Sequence, residues 1–203
     1  MTTIEVFADI ACPFTHVGLR RFVQRREELG RSDITLLVRA WPLEVVNGQP
    51  LDPAATADKV AALRDQVAPD LFTGFDPEAF PSTTLPALAL AHAAYAVDAR
   101  TGERVSLALR DLLFERGADV TDPAVLQALA DEHGVTFDPE DRSAVLADHA
   151  EGADRGVVGS PHFFTEGGGF FCPSLDIGHD ADGQLEIAVD ADGLDGFLAA
   201  CFA

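Results

Sequence analysis

Asp9-Ile10-Ala11-Cys12-Pro13-Phe14-Thr15-His16-Val17-Gly18 stands where an extended stretch gives way to a helical one. Before it, Thr3 to Ile10 alternates. Ile4, Val6 and Ala8 interleave with Glu5, Phe7 and Asp9, which is the period of a strand. After it, Pro13 to Leu29 follows a helical period. Val17, Phe22 and Leu29 take the apolar positions, and Arg20, Arg21, Arg25 and Arg26 the wet face. Proline suits the first helical turn, where its missing N–H costs no bond, and Gly30 is a natural stop. Ile34 to Trp41 is rich in β-formers and ends at Pro42. The first third therefore reads strand, helix, strand, a right-handed parallel crossover.

Further along the pattern changes. Pro53 to Val67, Ser82 to Ala99, Glu103 to Arg116, Pro123 to His133 and Pro139 to Asp154 all carry helical periodicity. Ser82 and Thr83 are candidate caps. Asp122-Pro123 and Asp138-Pro139 each read as a cap followed by a first-turn proline. After Gly156 the strand pattern returns. His162 to Thr165 is one strand, and Gly167-Gly168-Gly169 a turn. Phe170 to Ile177 is a second strand interrupted at Pro173, His179 to Gly183 a loop, and Leu185 to Val189 a third strand. Asp192 to Phe202 closes the chain as a helix with Leu194, Phe197, Leu198 and Cys201 inward.

The expected fold is α/β: a mixed central sheet with a large all-helical insertion between a βαβ half and a ββα half. Residues 1–45 and 156–203 would form the sheet domain and 46–155 the inserted helical subdomain. At 203 residues the chain is sized for one core, or one core with an insertion.

Composition narrows the partners. The formal net charge is −20, from 34 acidic and 14 basic residues, and Lys59 is the single lysine. Such a surface repels phosphate backbones, so nucleic acid is not an expected partner. No stretch approaches the ~18 apolar residues of a membrane span, and no basic-then-apolar leader opens the chain. The expected location is the cytoplasm. Three cysteines, Cys12, Cys172 and Cys201, are an odd count that argues against a disulfide framework.

Cys12 is the candidate nucleophile. It falls at the cap or first turn of the helix, where unpaired N–H groups and the positive end of the helix dipole favour an anion. A thiolate is such an anion, and cysteines at helix starts can have lowered pKa values. Thr15, three residues on, can aim its hydroxyl at the sulfur. His16 lies one turn away and acts only if it faces the sulfur; a solvated His16 is the expectation. Cys12 as a small buried hydrophobe is the competing reading.

The second element is Gly156-Val157-Val158-Gly159-Ser160-Pro161-His162-Phe163-Phe164. A Ser-Pro bond entering a strand after a glycine-rich turn is a candidate for the cis form. It would expose the Ser160 backbone to an extended partner pairing as an added strand. An ordinary trans-proline at a strand start is the alternative.

Taken together, the two elements and the order of the others resemble the DsbA-like branch of the thioredoxin superfamily. The nearest likeness is to its cytosolic FrnE-type oxidoreductases. Ser82-Thr83-Thr84-Leu85-Pro86-Ala87 falls where that subgroup begins its first long inserted helix. The resemblance implies a thioredoxin fold, a reactive Cys12, a cis Pro161 packed against it, and a substrate surface from Pro13, Phe14, His16, Ser160 and His162. This chain departs from the family at one place: Thr15 occupies the second cysteine of the Cys-x-x-Cys motif. What remains is a monothiol exchange with Cys12, Thr15 and Pro161 at its centre.

Cys172, beside Pro173, falls in a strand expected near the sheet edge, with the active site at a different end. Whether it resolves Cys12 is open. Cys201 reads as core. Cys12, His16 and His162 lack metal-ligand spacing, so no metal is expected. No tightly bound cofactor is expected either; a low-molecular-weight thiol such as glutathione is the candidate co-reactant. The expected partner is a protein or small-molecule disulfide, and the chain a monomer or homodimer. Kappa-class glutathione transferases and hydroxychromene-carboxylate isomerases share the resemblance, typically with serine where Cys12 stands. A redox-inactive binding or chaperone protein on the same fold is the third possibility.

Overall fold

The computed structural model describes residues 2–180 and 182–202; Ala181, within the loop expected at His179 to Gly183, lies outside them. Strand β1 (Thr2–Ala8) leads into helix α1 (Pro13–Glu28), which returns the chain to β2 (Ile34–Ala40). β1 and β2 pair in parallel, from Thr2 opposite Ile34 to Ala8 opposite Ala40. β3 (His162–Thr165) pairs antiparallel on the other side of β1, and β4 (Gly168–Phe171) pairs with β3. The sheet is mixed, in the order β2-β1-β3-β4. β1 is therefore central, and its C-terminal end delivers the chain to Cys12.

Between β2 and β3 lie α2 (Leu43–Asn47), α3 (Pro53–Gln66), a 3-10 turn (Pro77–Ala79), α4 (Leu85–Val97), α5 (Ala99–Arg116), α6 (Pro123–His133) and α7 (Ser143–Asp154). Asp98 joins α4 to α5 by accepting the N–H groups of Arg100 and Thr101. Asp122 caps α6 by accepting from Ala124, ahead of the first-turn Pro123. Asp138-Pro139 behaves otherwise. Asp138 accepts from Glu140 in a local turn, and α7 starts at Ser143, later than the sequence indicates. Neither Ser82 nor Thr83 is the cap residue of α4. Thr84 holds that place without a side-chain capping bond, and Thr83 gives its hydroxyl to Glu44.

The stretch expected as one strand from Phe170 to Ile177 is broken. Cys172 adopts a φ of 44°, a region that L side chains rarely enter, and Pro173 has no N–H to continue a ladder. The chain turns there, with Leu175 N–H donating to Cys172 O. β5 (Leu175–His179) then pairs with β6 (Leu185–Val189) in a separate two-stranded sheet, and α8 (Ala191–Phe202) follows.

Side-chain alternation decides what each face buries. Ile4, Val6 and Ala8 pack with Leu19 and Phe22 of α1 and with Phe197, Leu198 and Cys201 of α8. Cys201 is thus a core residue. Phe7 points the other way, to Trp41 and Val157. Gly152 of α7 lies against those rings: a Cβ there would meet Trp41 at 2.8 Å and Phe7 at 2.9 Å. A further cluster joins Ile10, Ala11 and Val17 to the apolar sides of α3 to α7. Arg39 of β2 also binds α7 through Asp148 and Glu151. Among the described residues, no helix is long and apolar enough to cross a membrane.

Candidate active site

The loop from β1 to α1 is tied by Asp9, which is 1% exposed. Its carboxylate accepts from Ala11 N–H at 2.7 Å and Leu43 N–H at 2.6 Å, and from the Thr84 hydroxyl at 3.3 Å. Its own N–H donates to Ser160 Oγ at 2.9 Å. One buried residue thus fixes the loop: its side chain against α2 and the cap of α4, its backbone N–H against the segment before β3. Burial raises the Asp9 pKa, the bonds from Leu43 and Ala11 opposing it.

Cys12 is the N-cap residue of α1 with Pro13 at the first helical position. Its sulfur lies 3.1 Å from Ser160 O, and the S–H donates to that carbonyl. Thr15 Oγ1 and Ser160 Oγ are 2.7 Å apart. The Ser160–Pro161 peptide bond is cis. Pro161 lies on α1 at Gly18, where a Cβ would stand 3.5 Å from Pro161 Cγ. Cys12, Pro13, Thr15, Ser160 and Pro161 therefore come together. Phe14, half-buried beside them, packs toward the helical block.

One expectation fails here. The sequence points to a lowered Cys12 pKa; in the structure it is raised. Cys12 is 3% exposed, so desolvation penalises the thiolate most. The Thr15 and Ser160 hydroxyls oppose that and Asp9 adds to it. The helix start favours an anion, but not by enough to outweigh burial. At rest Cys12 is a thiol.

His16 is a second correction. It is 1% exposed rather than solvated. Its Nε2 lies 2.7 Å from Glu115 Oε1, with the ring between Phe72 and Phe114. Burial lowers the His16 pKa despite Glu115. Glu115 is raised by its own burial, but bonds from His16, Thr73 and Phe72 bring it down to about 2. The pair is a neutral imidazole donating to a carboxylate, and it fastens α1 to α5. His162 is held locally, at the start of β3. Its Nδ1 accepts from Val158 N–H at 3.2 Å, and its ring stacks on Phe164.

One further group escaped sequence reasoning, and one stands elsewhere than expected. Arg110 of α5 is 1% exposed and donates to Asp9 O at 3.1 Å and to Ser106. Burial brings its pKa down to about 10, Asp9 and Cys12 working against that. On a helix surface an arginine reads as solvated, and nothing in the local pattern marks this one as buried. Cys172 is the one whose place differs. Its N–H donates to Pro161 O at 3.0 Å, so it stands beside the site and not at another end of the sheet. The break in the strand at its positive φ swings it there. Burial pushes its thiol up to about 12.

The fold is shared with solved structures. The structure resembles one provisionally named a protein disulfide isomerase, from Nitrosomonas europaea, with a TM-score of 0.63 and 18% identity over 97% of each chain. It resembles the cytosolic disulfide reductase DsbM of Pseudomonas aeruginosa with a TM-score of 0.60 and 15% identity, again over 97% of each chain. A 2-hydroxychromene-2-carboxylate isomerase structure aligns with a TM-score of 0.55 and 12% identity, over 84% of this chain and 88% of that one. At such identities these similarities speak to fold alone. No curated protein matches the sequence. The family described as the DSBA-like thioredoxin domain, however, matches residues 3–198. With the match spanning nearly the whole sequence, and its helix-start cysteine resting on the carbonyl before a cis-proline, the chain belongs to the DSBA-like thioredoxin domain family.

Proposed function

We propose that the protein is a thiol–disulfide oxidoreductase in which Cys12 attacks a protein or small-molecule disulfide. The observation that supports this reading is the Cys12 S–H bond to Ser160 O beside the cis bond. That bond stabilises the protonated sulfur. A substrate strand pairing with the Ser160 backbone competes for the same carbonyl. When its N–H takes Ser160 O, the thiol loses its acceptor. The Thr15 and Ser160 hydroxyls and the N–H groups of the first turn then favour the thiolate. Cys12 bonds to one substrate sulfur, the substrate S–S bond breaks, and the other sulfur leaves and takes up a proton.

An apolar rim borders the site. Val158 is 70% exposed and Phe171 51%, and the Phe171 ring covers Gly159, where a Cβ would meet it at 2.5 Å. Extended substrates with apolar residues beside the disulfide fit this rim. A low-molecular-weight thiol such as glutathione is the co-reactant that returns Cys12 to its reduced state, and the cytoplasm is the compartment that supplies it.

The protonated Cys12 favours one second reading. An S–H donor can hold the thiolate of a small thiol such as glutathione through a charge-assisted hydrogen bond. Cys12→Ser separates the two. The exchange reading expects the variant to keep its fold and to turn over an aromatic disulfide only at the uncatalysed background rate. A variant as active as the parent overturns it, and retained isomerase or transferase turnover supports the second reading.

A further inference from the structure

With Thr15 in the second motif position, the disulfide that Cys12 forms with a substrate has no partner within α1 to release it. The backbone around the cis bond supplies a partner from elsewhere. Cys12 Sγ rests on Ser160 O, and Cys172 N–H is bound to Pro161 O, the next carbonyl along the chain. The β3–β4 ladder ends at His162 opposite Phe171, so Cys172 is the next rung, opposite Pro161. Facing residues in such a ladder have Cα atoms about 4.5–5.5 Å apart. Cys172 is therefore one rung from the residue that holds the Cys12 sulfur.

Two other observations set this segment near the start of α1. Cys172 is 6% exposed and belongs to the buried cluster that contains Ala11 and Val17. Ser174, two residues on, lies against α1: a Cβ at Gly18 would stand 3.8 Å from its Oγ. The turn from Cys172 to Ser174 thus lies along Pro161 and the first turns of α1. Cys201 is no competitor, because it is sealed in the cluster around Phe22.

We infer that Cys172 is the resolving thiol of Cys12. The inference rests on the exchange reading above, since it needs Cys12 to hold a mixed disulfide. Cys172 sulfur bonds to Cys12 sulfur, the bond from Cys12 to the bound thiol breaks, and that thiol leaves carrying the Cys172 proton. The sum over both steps is one substrate disulfide reduced to two thiols and the Cys12–Cys172 pair oxidised. Closing this bond requires Cα atoms within about 4.4–6.8 Å. The Cys172-Pro173 turn follows the last β3–β4 pair, so it is the segment that must bring the two backbones to that separation. Burial is the main cause that holds the Cys172 thiol up, at about 12, so Cys172 gives up its proton as it attacks, to the sulfur that leaves.

The test treats the full chain with excess oxidised glutathione, quenches in acid, and reads intact mass and disulfide-linked peptides. The parent is expected to show a transient glutathionyl adduct on Cys12, replaced by a Cys12–Cys172 crosslink. Cys172→Ser and Cys172→Ala should prolong the adduct about tenfold or more, the advantage of an intramolecular thiol over one in solution. Cys201→Ser should behave as the parent. Equal adduct lifetimes in parent and Cys172 variants, with no Cys12–Cys172 crosslink in the parent, overturn the inference while leaving the nucleophile intact. No adduct on Cys12 in any of these proteins overturns the exchange reading, and this inference with it. Should both Cys172 variants fail to fold, the parent's peptide map decides: the crosslink supports the inference and its absence sinks it.

Discussion

Two parts of the interior are built on different rules. Around Phe22 the packing is between hydrocarbons: its ring meets Phe163, Phe197 and Phe202, with Val6, Leu19 and Leu36 in the same cluster. Around Cys12 the interior is laced with polar groups. Asp9, Thr15, His16, Arg110 and Ser160 are all buried, and each bonds a group distant in sequence. The first part is non-directional and tolerant of small shifts. The second depends on each donor meeting its acceptor, because an unpaired buried polar group is costly. One part keeps the sheet folded, and the other holds a thiol in a fixed place.

The largest expected effect separates the two. Phe22 is completely buried, and Phe22→Ala should cost about 3–5 kcal/mol of stability, the range for deleting a buried aromatic ring. Denaturant unfolding measures this. The exchange rate of Cys12 per folded molecule should stay at the parental value. If it falls in step with stability, the two regions are one unit and the division is wrong.

A smaller effect is expected at the polar anchor. Glu115 accepts from His16, from Phe72 and Thr73 N–H, and from the Thr73 hydroxyl. Glu115→Gln should cost about 1–3 kcal/mol at neutral pH, since a buried donor loses a charged acceptor. The pH dependence gives the sign. The folded Glu115 pKa of about 2 is below its unfolded value of 4.5, so its contribution is complete above 4.5 and is lost as pH falls toward 2. Stability measured against pH should show parent and variant converging across that window. Parallel curves would mean that the carboxylate charge does no work there.

The same contrast explains what the sequence could reveal. Hydrocarbon packing follows local periods, so α1, β2, α6, β3, β6 and α8 were legible to within a residue or two. α2 was not, because five residues are too few to display a helical period. The break at Cys172 was not, because it depends on one dihedral. In the site, Cys12 and Ser160 could be named as two motifs, but their bond spans 148 positions. His16 to Glu115 spans 99 and Arg110 to Asp9 spans 101. Each of these polar residues sits on a helix or loop where its local pattern reads as solvated. Only tertiary packing decides otherwise, and burial then reverses the expected direction of the Cys12 pKa.

The smallest change sharpens the contrast most. Thr15 is the third residue of α1, and Cys12 is its cap. Cap and third-residue side chains lie side by side at a helix start, so Thr15→Cys should place a second sulfur within bonding reach of Cys12. The substitution removes the hydroxyl 2.7 Å from Ser160 Oγ, at a cost of about 1 kcal/mol. Ser160 Oγ still accepts from Asp9 N–H, so the loop stays tied. Under mild oxidant the variant should form a reducible bond between Cys12 and the new thiol, read by peptide mapping. That bond should displace any crosslink to Cys172, because the new sulfur is on the same helical turn while Cys172 must bring its own turn across. A folded variant that forms no such bond would show that the cap geometry of α1 is not what holds Cys12. The polar region would then owe its order to Asp9 and Ser160 alone.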